Sequence, residues 1–266
     1  LKRSSPFGYT LFVFAMLFVF IVSSFVLVPN NVVNEIDLEK RLLPPNPHNV
    51  LGTDNLGRDL GLMIVAGTRN TLIIVFVSLA LSIIIGLFLG VLAAISTLFS
   101  VIIDKIMILV NTIPIIFIIA IIAVKIGPGV LNIILALFLY FLPLFYRIIK
   151  TMALSLMAQP YIEAVKALGA SYSYILVHYI LKEVAPYILS LFVFNIPTSI
   201  ALEMAVNFIG VGLDSSTPSL GTIIGWGVRY FTMAPHILII STAVSIVLIL
   251  ALSVLVEKTS KVIRNL

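Results

Sequence analysis

The chain has 266 residues, of which 61% are hydrophobic and only 10% charged. Soluble domains carry about 25% charged residues, so this composition excludes an ordinary soluble domain and predicts a multispanning membrane protein. With no cysteine it has no disulfide, thiolate metal site or cysteine nucleophile, and three scattered histidines (His48, His178, His236) offer no metal cluster. The +5 net charge lies between apolar runs, where it is a topology signal and not a nucleic-acid footprint. The first such run, residues 7–28, follows Lys2 and Arg3. It exceeds the roughly 7–15 residues of a signal-peptide core and lacks a small-x-small cleavage site, so it is expected to be a retained first span.

Residues 29–69 form a polar connection. Pro44, Pro45 and Pro47 predict a stiff extended strap, and Gly52 and Gly57 predict tight turns. The run Leu51-Gly-Thr-Asp-Asn-Leu-Gly-Arg-Asp59 is expected to place Asp54 and Asp59 as helix caps offset by Arg58. The same nine residues resemble a signature of the dipeptide, oligopeptide and nickel branch of ABC-importer permeases, which there also follows the first span.

Crossing the hydrocarbon core takes about 20 apolar residues. Six segments qualify: 7–28, 70–96, 106–124, 130–146, 185–213 and 236–256. Pro114, Pro143 and Pro197 fall inside them, where neighbouring helices can satisfy the freed carbonyls. Gly86 and Gly90 form a GxxxG pair, read as close helix packing.

Between the fourth and fifth segments lies a polar interruption, residues 159–182. Pro160 suits a helix start, Glu163 sits in the first turn near the positive dipole end, and Lys166 is three residues on and within pairing reach. Gly169 supplies a left-handed stop, after which Ser171 can cap a second helix. A helix, a glycine break and a second helix make a compact knob at one membrane face. Glu163-Ala164-Val165, Gly169 and Ile180-Leu181 resemble the EAA loop of ABC-importer permeases. Val165 stands where that family usually has alanine, and Lys182 where proline usually follows Ile-Leu. The resemblance implies an ATPase-coupling role for Glu163, Ala164, Lys166, Ala167, Gly169 and Ala170.

Glu203 lies well inside the fifth segment. A carboxylate at a helix centre costs about 2.5–3.5 kcal/mol on insertion scales, so it should face protein or water. It matches a glutamate of the resembled branch and is expected either to line the translocation pathway or to bond a neighbouring span. Asn195 and Asn207 have the same two options. Residues 214–235 read as a second outer loop, with Trp226 and Tyr230 suited to an interfacial belt. Phe208-Ile-Gly-Val-Gly-Leu213 and Thr217-Pro218-Ser219-Leu220-Gly221 again resemble the same branch; contact with an external binding protein is the functional option for this loop.

If both termini are cytoplasmic, the inner segments hold ten basic residues: Lys2, Arg3, Lys105, Arg147, Lys150, Lys166, Lys182, Lys258, Lys261 and Arg264. The outer segments hold six: Lys40, Arg41, Arg58, Arg69, Lys125 and Arg229. The bias favours cytoplasmic termini and puts the 159–182 element inside. No G-x-x-x-x-G-K-[ST] loop is present, so ATP and Mg would be bound by partner subunits, with no cofactor in this chain.

Taken together, the motifs resemble a permease subunit of a binding-protein-dependent ABC importer of the peptide/nickel branch. That implies an all-α membrane protein of six transmembrane helices with the type I ABC importer permease fold. It divides into residues 1–28 (tail and first helix), 29–69 (extracytoplasmic connection) and 70–266 (a five-helix core with coupling loop 151–184). The implied partners are a second permease subunit, two cytoplasmic ATP-binding subunits, an external solute-binding protein and the lipid bilayer. The chain would be a transport subunit, not an enzyme, in the cytoplasmic membrane. An ion-gradient-driven secondary transporter is the alternative, and it would want several intramembrane charges and inverted repeats.

Overall fold

The computed structural model describes residues 35–214 and 217–264, with residues 15–16, 19, 22–24 and 28 of the N-terminal stretch. The expected first span, residues 7–28, therefore lies mostly outside the described residues. Apart from a short 3-10 turn, Leu38–Lys40, the regular elements are α1 (Leu60–Ile95), α2 (Thr97–Thr112), α3 (Ile115–Ile126), α4 (Val130–Met157), α5 (Pro160–Ala167), α6 (Tyr172–Ile175), a π-helical turn (Leu176–Ile180), α7 (Leu181–Ile209), α8 (Leu220–Arg229) and α9 (Pro235–Arg264). Among the described residues, four helical segments are long and apolar enough to cross a membrane, and the bent α2–α3 pair makes a fifth if it counts as one span.

Helix α1 begins ten residues before its expected start because Asp59 caps it, accepting from the Leu62 N–H. Its 36 residues reach about 54 Å at 1.5 Å per residue, well beyond a hydrocarbon core of about 30 Å. The early start also relocates Arg69. It is not a loop charge but a buried residue of α1, and its Nη1 donates to the Val28 carbonyl at 2.9 Å.

The third expected segment is broken. Proline disfavours helical backbone in the residue before it, and Ile113, just ahead of Pro114, is extended (φ −85°, ψ 119°). Helices α2 and α3 consequently meet at 95°. Pro143 and Pro197, by contrast, are carried inside α4 and α7 as expected.

Helix association in lipid gains little from burying apolar surface and relies on close packing and interhelical bonds. The largest interface, α1 with α4, shows this. A Cβ on Gly86 would stand 3.1 Å from the Tyr146 nitrogen, and one on Gly90 3.0 Å from the Lys150 nitrogen. The paired glycines thus bring two backbones together, and Leu72, Leu79, Leu137, Phe145 and Ile196 fill the adjoining core.

The strap, residues 35–59, folds back on itself at the start of α1. Leu42 N–H donates to the Asp54 carbonyl at 3.0 Å and Thr53 N–H to the Leu43 carbonyl at 3.0 Å. Asp54 does not cap a helix. Its carboxylate accepts the N–H groups of Leu56 and Arg58 at 2.8 and 2.9 Å, closing a turn, and pairs with the Arg58 guanidinium at 2.6 Å in the interior. Gly57 (φ +79°) permits that turn, since a Cβ there would stand 1.7 Å from the Asp37 carbonyl oxygen. On the exposed rim, the hydrogen bond from Lys40 holds the Asp37 carboxyl below its ordinary value.

Helix α8 occupies what reads in sequence as a loop. Ser219 and Thr222 form a reciprocal capping box at its start. A Cβ on Gly221 would fall 2.4 Å from the Met204 carbonyl oxygen, and one on Gly227 2.7 Å from the Leu238 Cα. These two glycines seat α8 directly on the backbones of α7 and α9. Trp226 is buried, not interfacial, and the Arg58 guanidinium lies over its ring at 5.1 Å. Arg41 lies over Tyr230 in the same way, at 5.5 Å.

Candidate functional site

Two sets of predicted site residues sit at different depths of the fold. The first is the element built from α5, the Gly169 turn and α6. Pro160 takes the first helical position of α5, as its missing N–H allows. After Ala167 the chain closes a Schellman turn, with Gly169 N–H donating to the Lys166 carbonyl at 2.9 Å and Ala170 N–H to the Val165 carbonyl at 3.3 Å. Gly169 has φ +88°, and no atom lies within 4 Å of where its Cβ would be. Ser171 then caps α6 through the Tyr174 N–H at 3.3 Å. The expected Glu163–Lys166 pair is absent among the described ion pairs. Lys166 extends instead over the Tyr172 ring, 5.9 Å from its centroid.

Ile162, with Val165 half-buried beside it, anchors α5. Ile162 is fully buried and packs with Ala153 of α4, Ile175 of α6, and Ile180 and Val184 beyond it. Around it, Tyr161, Glu163, Ala164, Ala167, Leu168 and Gly169 are all exposed, and Leu168 is 88% exposed. Lys166 and Ala170 are half-buried. The side chains Tyr161, Tyr174, His178 and Tyr179 gather beside this face, with Tyr174 and His178 stacked at 4.1 Å. The sequence placed the element correctly but not the π-turn that continues α6 into α7.

The second set surrounds Glu203, which is fully buried. Its carboxylate accepts from Asn207 Nδ2 at 2.6 Å and from Thr71 Oγ1 of α1 at 3.1 Å, with the Ser219 hydroxyl as a third partner. Asn207 Oδ1 accepts the Leu213 N–H at 3.0 Å, fixing the chain that leaves α7, and Thr71 Oγ1 accepts the Leu220 N–H at 3.4 Å. Glu203 thus joins α1, α7 and the start of α8. Sequence reasoning missed Thr71 and Ser219; hydroxyls in apolar helices are too common to single out without the pairing. Asn195, four residues from Ser199 on α7, is not part of this node: it donates to the Leu191 carbonyl of its own helix at 2.8 Å and is 8% exposed. The carboxylate is aimed at helices, not at an open surface of the subunit. Neither set has the nucleophile, base or metal-ligand geometry of a catalytic centre; one is an exposed face and the other a buried bond network.

Residues 82–261 match the family described as "Binding-protein-dependent transport system inner membrane component". Among similar proteins, the "Probable D,D-dipeptide transport system permease protein" of Escherichia coli is 29% identical over 74% of this chain and 66% of its own length. The "Dipeptide transport system permease protein" of Lactococcus lactis is 30% identical over 77% of this chain and 60% of its own length. A "Glutathione transport system permease protein" of Pectobacterium atrosepticum is 28% identical over 86% and 76%. The chain thus spans two-thirds or less of the first two relatives. Among solved structures, a chain of the MetNI methionine ABC transporter in an inward-facing conformation superposes with a TM-score of 0.60 at 21% identity, covering 76% of this chain and 97% of that one. A chain of an amino acid ABC transporter superposes with a TM-score of 0.58 at 17% identity, covering 75% and 93%. At these identities the likeness is one of fold.

Proposed function

Because the chain belongs to the family of binding-protein-dependent transport system inner membrane components, we propose that it is the permease subunit of an ATP-driven importer for small peptides. Substrate class rests on the relatives, whose names specify dipeptide, D,D-dipeptide and glutathione transport. Nickel chelates, the other cargo the resemblance implies, have no counterpart among those names. The ion-gradient-driven alternative has no support from the family or the relatives.

One observation carries the mechanism: α5 is held by one fully buried isoleucine with Val165 half-buried beside it, while Tyr161, Glu163, Ala164 and Ala167 are exposed. Such a helix has little to do within its own subunit and is built to be gripped from outside. In this reading α5 docks on a cytoplasmic ATP-binding subunit, with Glu163, Ala164, Lys166, Ala167, Gly169 and Ala170 forming or shaping the contact. A second permease subunit completes the pathway, two ATP-binding subunits hold ATP and Mg, and an external binding protein delivers substrate. Both termini are cytoplasmic. ATP-driven closure of the motor moves α5, and the spans alternate between outward and inward openings. Glu203, with Asn207, acts in this scheme by fixing α8 to α1 and α7, the role its burial favours over direct contact with substrate.

The test is to purify the chain from detergent-solubilised native membranes and identify what accompanies it by mass spectrometry. An ATPase subunit and a second permease are expected. A stable chain that brings down no ATPase overturns the reading.

A further inference from the structure

Helices α2 and α3 are loosely held. Helix α2 buries only Ile103 and Met107, and α3 only Ile118 and Ile119. The rest of their apolar surface is half-buried or exposed, Val124 being 83% exposed. Helix α2 packs Ile103 and Met107 on Ala93, Leu142 and Tyr146, and a polar cluster adds directional bonds to α4. Asp104 Oδ2 pairs with Lys150 Nζ at 2.6 Å, Asp104 Oδ1 accepts from the Tyr146 hydroxyl at 2.7 Å, and the Ser100 hydroxyl approaches Oδ2 at 3.4 Å. Tyr146 and Lys150 are one turn apart on the same face of α4. Beneath them the α4 backbone rests on α1 at Gly90, so this turn is held on two sides.

The position of that turn gives the cluster its meaning. Helix α4 continues past it to Met157, and only Ala158 and Gln159 separate α4 from α5. Ile162 of α5 also packs back on Ala153 of α4. A force on α5 therefore acts along α4, whose turn at Tyr146 and Lys150 touches α1 at Gly90 and α2 at Asp104. Asp104 accepts two hydrogen bonds from α4 at that turn. These are directional bonds to a carboxylate, stronger than neutral ones, and they oblige α2 to follow. We infer that Asp104 is the positioning residue through which movement of α5 reaches the α2–α3 pair. This rests on the reading of α5 as the element an ATPase subunit moves.

Because the chain has no native cysteine, spin labels enter it only at chosen positions, once cysteines of the partner subunits are replaced. The experiment uses the complete complex purified through this chain, with labels at Tyr161→Cys or Val124→Cys, each paired with Val50→Cys in the strap, and compares nucleotide-free with ATP–vanadate states. In the parent protein both distances shift. In Asp104→Ala the shift at Tyr161 persists and the shift at Val124 is lost. The exchanged pair Asp104→Lys with Lys150→Asp recovers the Val124 shift. A Val124 shift that survives in Asp104→Ala overturns the inference. So does loss of the complex in Asp104→Ala without recovery in the exchanged pair, which makes the cluster a support of the fold alone. If the parent complex retains its ATPase yet shows no shift at Tyr161, the reading of α5 itself fails, a result distinct from either.

Discussion

The two ends of α1 are built on opposite plans. At its start, the strap and α8 are bonded from every side: Asp54 to Arg58, Arg58 over Trp226, Ser219 capping α8, and Glu203 tying α8 to α1 and α7. At its far end, α5 hangs on Ile162, and its glycine turn stands in open space. Both ends carry motifs that resemble ABC-importer permeases. One set of motif residues holds a shape, and the other leaves a surface available. A motif residue in this protein is therefore not a pathway residue by default; its surroundings decide whether it is bonded internally or offered to a partner.

The comparison breaks most readily at Asp54. Asp54→Ala leaves the buried Arg58 guanidinium without its partner, which costs about 3–5 kcal/mol. A large fall in thermal stability of the detergent-solubilised protein is expected, and a variant as stable as its parent would deny that the strap holds this end together. Next is Gly221→Val, whose side chain must enter the space held by the Met204 carbonyl. Overpacking of this kind costs about 1–3 kcal/mol, read as a lower melting temperature and faster proteolysis after Arg229.

Glu203→Gln sharpens the contrast instead of breaking it. The amide keeps an acceptor for one of the node's donors, so stability should change by about 1 kcal/mol or less. Retained uptake of labelled dipeptides or glutathione by proteoliposomes would support the holding role. Uptake lost from a fully assembled complex would return the carboxylate to the translocation pathway. At the other end is Gly169→Val. Its Cβ meets nothing, so only the left-handed backbone is penalised, by about 1–2 kcal/mol. Its effect should appear in coupling: ATP hydrolysis continues while transport per ATP falls. Equal coupling in variant and parent would count against α5 as the docking element.

Much of this was legible in the chain because membrane helices announce themselves by length and hydropathy, and because Pro160, Gly169 and Ser171 each impose a local backbone geometry. The α5–α6 knob follows from those three residues alone. Helix α8 was not legible. Pro218, Gly221, Gly225 and Gly227 read as loop chemistry, although Leu220, Ile223 and Trp226 recur at helical spacing behind a Ser219–Thr222 cap. The glycines serve contact with α7 and α9, and that need is invisible until those helices are in place. The break at Pro114 shows the same limit: Pro114, Pro143, Pro186 and Pro197 all lie in apolar segments, and which one breaks its helix depends on its neighbours.

The sequence by itself determined a multispanning helical subunit, its helix–glycine–helix knob and its family, since these depend on local composition and short-range backbone rules. Tertiary structure alone decided that Glu203 meets Thr71, that Asp104 joins α2 to α4, and that Arg58 and Trp226 share one buried site. Those residues are separated by 42 positions or more along the chain. Only the close approach of helix backbones, set by small residues and directional bonds in a medium that gives little hydrophobic drive, brings them together.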